Sequence, residues 1–163
     1  MDVGDLARER GVELLRFAYL ICGDRRRAED LLQDVLLAMY RRFPAEISIE
    51  NPVGYARRSL VNANISRARR WSSSEISVAE FPDAPAGHGT DPADRDVLWQ
   101  SLRHLPARQR AVLVLRFYAD ATDDEIAATL GCRRGTVRSL ASRALAAMRD
   151  DPALALDSAE GAS

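Results

Sequence analysis

The side chains best equipped for chemistry in this chain are arginines, and they fall into two acid-free groups. Residues 53–71 hold Arg57, Arg58, Arg67, Arg69 and Arg70, and residues 132–149 hold Arg133, Arg134, Arg138, Arg143 and Arg149. A guanidinium is a planar, permanently charged donor fork that matches phosphate oxygens and the O6/N7 edge of guanine. Two such segments point to nucleic acid. The formal net charge is only −1 because acids gather elsewhere, in residues 75–96 and in the tail beyond Arg149. Distribution rather than the sum carries the signal. The chain has no lysine, which a GC-rich coding bias explains better than binding chemistry does.

The second group sits on the strongest local pattern. Thr122-Asp123-Asp124-Glu125 reads as a capping box, in which the Thr oxygen takes a first-turn amide and Glu125 reaches back to the Thr amide. Ile126, Ala127 and Leu130 follow on one face, and Gly131 suits the left-handed conformation that ends a short helix. A longer helix over about 133–149 comes next. Its Val137, Ala141, Ala144 and Met148 share one side; Arg134, Arg138, Ser139 and Ser142 share another, with Arg143 at its margin. A capped short helix, a tight Gly turn and a basic helix make a helix-turn-helix, whose second helix enters a major groove. The bland alternative is an antiparallel helix pair with a solvated charged face.

In the first group, Arg58, Asn62, Ser66 and Arg69 share a helical face. An Asn among arginines can bond a base edge while the arginines hold the backbone. Asn51 is a candidate cap before Pro52, which suits the first turn of this third helix, over about 53–70. Tyr55, Trp71 and the loop of residues 44–52, with Ile47 and Ile49, offer surfaces for unpaired bases, although aromatic residues are more often core. A helix over about 26–43 carries Glu29, Asp30, Gln33, Asp34, Arg41 and Arg42 around an apolar stripe, a solvated surface or a docking face for a basic partner.

Catalysis is not expected. No Ser-His-Asp set, paired metal ligands or phosphate-cradling Gly loop is present in the sequence. Cys22 and Cys132, like His88 and His104, lack zinc-site spacing, and structural roles are expected for both thiols. No cofactor, metal or small-molecule substrate is implied. No apolar run is long enough to span a bilayer and the first residues do not form a signal peptide, which makes the cytoplasm the expected compartment.

The elements that must position these residues are helices. Leu14, Phe17, Ala18 and Ile21 repeat at helical spacing, Gly23-Asp24 breaks and caps, and Leu32, Val35, Leu36, Met39 and Phe43 form the next stripe, ended by Pro44. Residues 72–92 are rich in Ser, Pro, Gly and acids and read as a linker. Asp91-Pro92 opens a second helical unit in which Val97, Leu98 and Leu102 face inward. Leu105-Pro106 resets the chain, and Ala111, Val112 and Leu115 mark the following helix. The expected fold is all-α: two small helical domains, 1–71 and 93–149, joined by a flexible acidic linker at 72–92 and followed by a disordered acidic tail, 150–163.

Together these residues resemble the extracytoplasmic-function (ECF) sigma factors of the sigma-70 family. The carrying motifs are Ala28-Glu29-Asp30-Leu31-Leu32-Gln33-Asp34-Val35; Pro52 to Tyr55, Asn62 and Arg69-Arg70; Leu105-Pro106; and Asp124 to Ala127 through Leu130-Gly131-Cys132 to Gly135-Thr136-Val137-Arg138-Ser139. The likeness covers about residues 14–149, and FAYLICGD followed by RRAEDLLQDV is similar to an actinobacterial, SigE-like subgroup.

The resemblance implies a sigma factor that binds core RNA polymerase and directs promoter-specific initiation. The first unit is then sigma region 2. Glu29, Asp30, Leu32, Gln33 and Asp34 meet the β′ clamp; Asn51, Arg58, Asn62, Ser66, Arg69 and Arg70 meet the −10 element, with Asn62 on a flipped base pocketed by the 44–51 loop. The second unit is region 4. Arg134, Thr136, Arg138, Ser139, Ser142 and Arg143 read the −35 element, and its flank touches the β flap. The linker threads the polymerase interior near the RNA path. An anti-sigma factor stands as a further candidate partner. Two departures matter: Ser66 stands where the family often has Asp, and the pocket loop lacks an aromatic residue. The competing reading is a stand-alone helix-turn-helix regulator, which would bind a palindrome as a dimer and would have no need of the AEDLLQDV helix.

Overall fold

The computed structural model describes residues 1–73 and 100–152, with side chains through residue 70 in the first stretch. Among the described residues every regular element is helical and none is a strand. The chain divides into two compact units, Met1–Pro82 and Asp83–Ser163. The expected linker from residue 74 onward, the Asp91-Pro92 start, Val97, Leu98 and the tail beyond Pro152 lie outside the described residues, as do the side chains of Trp71 and Ser72.

The first unit is a three-helix bundle of α1 (Val3–Cys22), α2 (Arg25–Arg42) and α3 (Pro52–Ser73), each packed on the other two. Local chemistry sets each boundary. Asp2 caps α1 by accepting from the Asp5 amide at 2.8 Å. Gly23 ends it at φ 76°, a left-handed conformation that a Cβ would strain, and its amide bonds Tyr19 O at 2.9 Å. Asp24 then caps α2 through the Arg26 amide at 3.1 Å. Asn51 Oδ1 accepts from the Gly54 amide at 2.9 Å and opens α3, with Pro52 as its first residue. The apolar stripes meet in one core: Leu14, Phe17, Ala18, Ile21, Leu31, Val35, Met39, Leu60 and Val61 are buried. Leu36 and Phe43 are half-buried at its edge. Cys22 donates to Ala18 O at 3.0 Å, a local structural bond of the kind expected for it.

Two polar ties fix how α3 lies in this bundle. Arg57 reaches across to Glu13 of α1, Nη2 to Oε1 2.5 Å, with its guanidinium carbon 5.6 Å from the centre of the Phe17 ring. Asn64 Nδ2 donates to Ile21 O at 3.0 Å, which satisfies a carbonyl at the C-terminal end of α1.

The second unit begins, in the described residues, with helical residues 100–103. It continues with α4 (Ala107–Leu113), which widens into a π turn at Val114–Tyr118, then α5 (Asp123–Leu130) and α6 (Arg134–Arg149). Ala111 to Leu115 are all buried. A single helical face cannot bury five consecutive residues, so this segment is the centre of the unit, in contact with both α6 and α5. The π turn closes through the Ala119 amide on Val114 O at 3.1 Å. Sequence periodicity does not reveal this widening. It turns Arg116 toward α5 and leaves Phe117 63% exposed. Arg110 Nη2 donates to Leu105 O at 2.9 Å and Arg103 O at 3.3 Å, capping the turn before Pro106. Ser101 Oγ donates to Asp151 Oδ2 at 2.6 Å, tying the two ends of the described unit.

Candidate nucleic-acid interface

The helix-turn-helix forms as its residues dictate. Thr122 Oγ1 accepts from the Glu125 amide at 3.2 Å, and Glu125 Oε2 accepts from the Thr122 amide at 2.8 Å, so both halves of the capping box are present. Gly131 ends α5 at φ 65°, and the Cys132 amide bonds Ala127 O at 3.1 Å. Ile126, Val137, Ala141 and Ala144 are fully buried, Ala127 nearly so, and Leu130 and Met148 partly. Small residues on α6 let it approach α4 closely, and the pairing holds its opposite side out to solvent. Arg134, Thr136, Arg138, Ser139, Ser142 and Arg143 are all exposed there. Thr136, Ser139 and Arg143 share a shallow depression with Arg133, Gly135 and Leu140.

This exposed face is not purely basic. Acids reach it from the neighbouring helix, which a scan of 132–149 could not register. Asp124 Oδ1 lies 3.2 Å from Arg134 Nε, and Asp123 Oδ2 lies 3.7 Å from Arg138 Nε. Asp123 Oδ1 also accepts from Arg116 Nη2 at 2.5 Å. The hydrogen bond from Arg116 is the main reason the Asp123 carboxyl sits below the usual carboxylate range. Partial burial opposes that shift, and the Arg116, Arg138 and Arg134 charges reinforce it. Three acids in the first turn of α5 also suit the positive end of its dipole.

On α3 the structure places Arg58, Asn62, Ser66, Arg69 and Arg70 on exposed positions. Asn51 is exposed as well, with its Oδ1 engaged as the helix cap. Arg57 and Arg67 belong to the same acid-free segment, yet both are paired inside the unit, Arg57 to Glu13 and Arg67 Nη2 to Asp34 Oδ2 at 2.9 Å. Counting charge along the chain hid this, because the partners lie 44 and 33 residues away. Tyr55 is half-buried and packs edge-on against Phe43, ring centres 5.2 Å apart. This contact joins the two residues that flank the 44–51 loop and its cap. In that loop Ile47 is 51% exposed and Ile49 half-buried.

On α2, Glu29, Asp30, Gln33 and Asp34 are exposed, and beyond them Leu37 and Tyr40 stand 49% and 64% exposed. Leu32 is 8% exposed. It supports the helix from within, and the outward face is made by its polar neighbours.

Comparison with known proteins accounts for both units in their order along the chain. Residues 6–73 match the family model described as Sigma-70 region 2, and residues 101–150 match Sigma-70, region 4. The RNA polymerase sigma-E factor of Streptomyces avermitilis is 34% identical over 152 residues, covering 93% of this chain and 85% of that protein. The chain belongs to the sigma-70 family. Among other relatives of this sigma factor, the Streptomyces coelicolor RNA polymerase sigma-E factor is 33% identical over 152 residues, covering 93% of this chain and 86% of that protein. The ECF RNA polymerase sigma factor SigE of Mycolicibacterium smegmatis is 29% identical over 162 residues, covering 90% of this chain and 60% of its own length. The sigma factor RpoE of Bartonella quintana, solved in complex with the anti-sigma factor NepR, aligns with TM-score 0.64 at 25% identity, covering 94% of this chain and 98% of that one. As a sigma factor of the ECF type, the protein directs transcription initiation from promoters by RNA polymerase. Among the described residues no helix is long and apolar enough to cross a membrane.

Proposed function

We propose that the two exposed arginine faces read the two halves of one promoter. The α6 face, with Arg134, Thr136, Arg138, Ser139, Ser142 and Arg143, enters the major groove of the −35 element. The α3 face, with Arg58, Asn62, Ser66, Arg69 and Arg70 and with Asn51 at its start, meets the −10 element, where Asn62 bonds a base extruded from the non-template strand. Glu29, Asp30, Gln33 and Asp34 of α2 dock on the β′ clamp, and the flank of the second unit meets the β flap. The single observation that carries this reading is the presence, in one chain, of a capped helix-turn-helix with a solvent-facing basic helix and a separate bundle whose third helix shows an arginine-asparagine face.

The division of labour follows the expected domain limits, 1–71 for polymerase docking and −10 melting and 93–149 for the −35 element, with each unit running past its expected end: α3 continues to Ser73, and Asp151 is bonded by Ser101. No covalent step belongs to this chain. Strand opening costs unstacking, which a captured base and single-strand contacts offset. The protein works in the cytoplasm, where polymerase and promoter are. The neighbouring RpoE was solved with an anti-sigma protein, and such a protein is proposed as a partner here too.

The test separates the two faces. Full-length Asn62→Ala and Arg138→Ala variants are assembled with purified core polymerase on a promoter fragment, with permanganate reactivity reporting melted thymines and filter binding reporting the closed complex. Asn62→Ala is expected to lose melting while retaining closed-complex binding, and Arg138→Ala to weaken closed-complex binding severalfold without abolishing it. Loss of the same step by both variants, or equal promoter affinity with and without core enzyme, would overturn the reading.

A further inference from the structure

Asp123 stands between two arginines with different tasks. Arg116 comes from the π turn at the centre of the second unit, and its side chain is 26% exposed. Arg138 lies on the solvent face of α6, its side chain 67% exposed. Asp123 itself is 23% exposed and offers one carboxylate oxygen to each, a 2.5 Å hydrogen bond from Arg116 on Oδ1 and a 3.7 Å ion pair with Arg138 on Oδ2. The second distance is too long for a hydrogen bond, so Arg138 is guided but not captured. The carboxylate is fixed from both of its ends. Asp123 is the first residue of α5, directly after the Thr122 cap, and Arg116 is held where the widened turn points it.

A long exposed arginine has two ways to meet a duplex. It can fall on the nearest phosphate, which every sequence offers, or reach a guanine edge, which only some offer. A fixed carboxylate beside the guanidinium disfavours a second anion at that spot and holds the fork in one direction, which biases the choice toward the base. We propose that Asp123 is a positioning residue for promoter reading: anchored by Arg116, it aims Arg138 at a base edge in the −35 element and keeps it off the phosphate backbone. This rests on the reading of α6 as the −35 helix. Asp124 pairs with Arg134 at 3.2 Å, but both partners are more than half exposed and no second arginine meets the acid among the described residues, so Asp123, held also by the partly buried Arg116, is the one the geometry singles out.

The experiment uses full-length protein assembled with core polymerase and a DNA library randomised over the upstream element, with bound sequences selected and read. The wild-type chain is expected to show a preferred guanine at the position Arg138 reaches, and Arg138→Ala to flatten that position. Asp123→Asn keeps the shape and removes the charge. It is expected to lower the preference at that same position about three- to tenfold, a part of what a bidentate arginine–guanine pair supplies, leave the other positions unchanged and raise binding to unrelated DNA. Asp123→Glu restores most of the preference. Arg116→Gln, which leaves Asp123 in place without its anchor, gives the same single-position loss and serves as a second line should Asp123→Asn fold poorly. A uniform weakening at every position would make Asp123 merely structural and overturn the inference. An unchanged profile for Asp123→Asn beside a flattened one for Arg138→Ala would also overturn it, while sparing the −35 reading. An unchanged profile for Arg138→Ala would sink that reading itself.

Discussion

Glutamate 13 offers the sharpest test of how the first unit is held together. Its carboxylate is shared by Arg10 on the same helix, Nε to Oε2 2.6 Å, and by Arg57 of α3, Nη2 to Oε1 2.5 Å. The Arg57 side chain is 22% exposed and lies near the Phe17 ring, so it is neither in bulk water nor in a dry core. Glu13→Gln removes the negative charge and leaves the Arg57 guanidinium facing a neutral amide. A hydrogen bond to a charged group contributes about 1.5–3 kcal/mol when well buried. Glu13 is 30% exposed, and solvent screening lowers the expected cost to about 1–2 kcal/mol, at or below the bottom of that range.

The pH dependence separates this from a generic packing defect. The hydrogen bond from Arg10 is the leading reason the Glu13 carboxyl lies below its ordinary value, with the charges of Arg10 and Arg57 adding to it and burial opposing. A carboxylate depressed on folding stabilises the protein above its unfolded pKa, about 4.3 for Glu. That stabilisation is lost as pH falls through the lower folded value. The wild-type advantage over Glu13→Gln should therefore be constant from pH 7 to about pH 5, shrink below the unfolded value, and vanish once the glutamate is protonated in both states. Urea unfolding followed by far-UV circular dichroism at a series of pH values measures it, with hydrogen exchange at α1 and α3 amides assigning the loss to this unit. A penalty as large at pH 3 as at pH 7, or none at pH 7, would refute the electrostatic account of the α1–α3 tie.

Other perturbations follow from single contacts. Thr122→Ala removes one half of the capping box at α5 and should cost about 1 kcal/mol, seen as a lower melting temperature of the second unit and weaker −35 binding by the holoenzyme. Asp34→Asn breaks the 2.9 Å pair with Arg67, in which the Asp34 side chain is 68% exposed. Pairs that exposed contribute little, so stability should change by less than about 0.5 kcal/mol. Affinity for core polymerase should nevertheless fall severalfold in a competition assay, and equal affinity would remove Asp34 from the docking face.

Much of the fold can be read from the amino acids because it depends on local signals. Asp24, Asn51-Pro52, Thr122 to Glu125 and Gly131 each satisfy or release helix-end groups within four residues, and each acts in the structure as its type suggests. The apolar stripes of α1, α2 and α6 face the cores as their spacing requires, with Leu36, Phe43 and Met148 half-buried at the edges. What escaped reading is non-local. The partners of Arg57, Arg67 and Asn64 lie more than 30 residues away, and nothing in a helical repeat indicates which arginine turns inward. The π turn at Val114–Tyr118 adds a residue to one turn without a marker such as Pro or Gly, and through it Arg116 reaches Asp123. The candidate site was thus legible as faces, while the acids that discipline it were not.

Those acids bear on why a promoter reader can have no net positive charge. Sequence-independent affinity grows with the number of phosphates that free cations neutralise. Arg57, Arg67 and Arg116 are held by Glu13, Asp34 and Asp123 inside their own units, and Arg134 and Arg138 share their surroundings with Asp124 and Asp123. The partly buried pairs of Arg57 and Arg116 take those cations out of the pool available to arbitrary DNA, and the more exposed pairs weaken the pull of the others, whereas a base contact keeps its discrimination. The ratio of specific to non-specific binding, which decides occupancy among many competing sites, therefore rises as bare affinity falls. A chain built this way offers fewer of its cations to phosphates than its arginine count implies. The salt dependence of promoter binding should accordingly be steep for the holoenzyme and shallow for the isolated chain. A slope for the free chain matching that of the holoenzyme would show that its arginines are not restrained in the manner the ion pairs indicate.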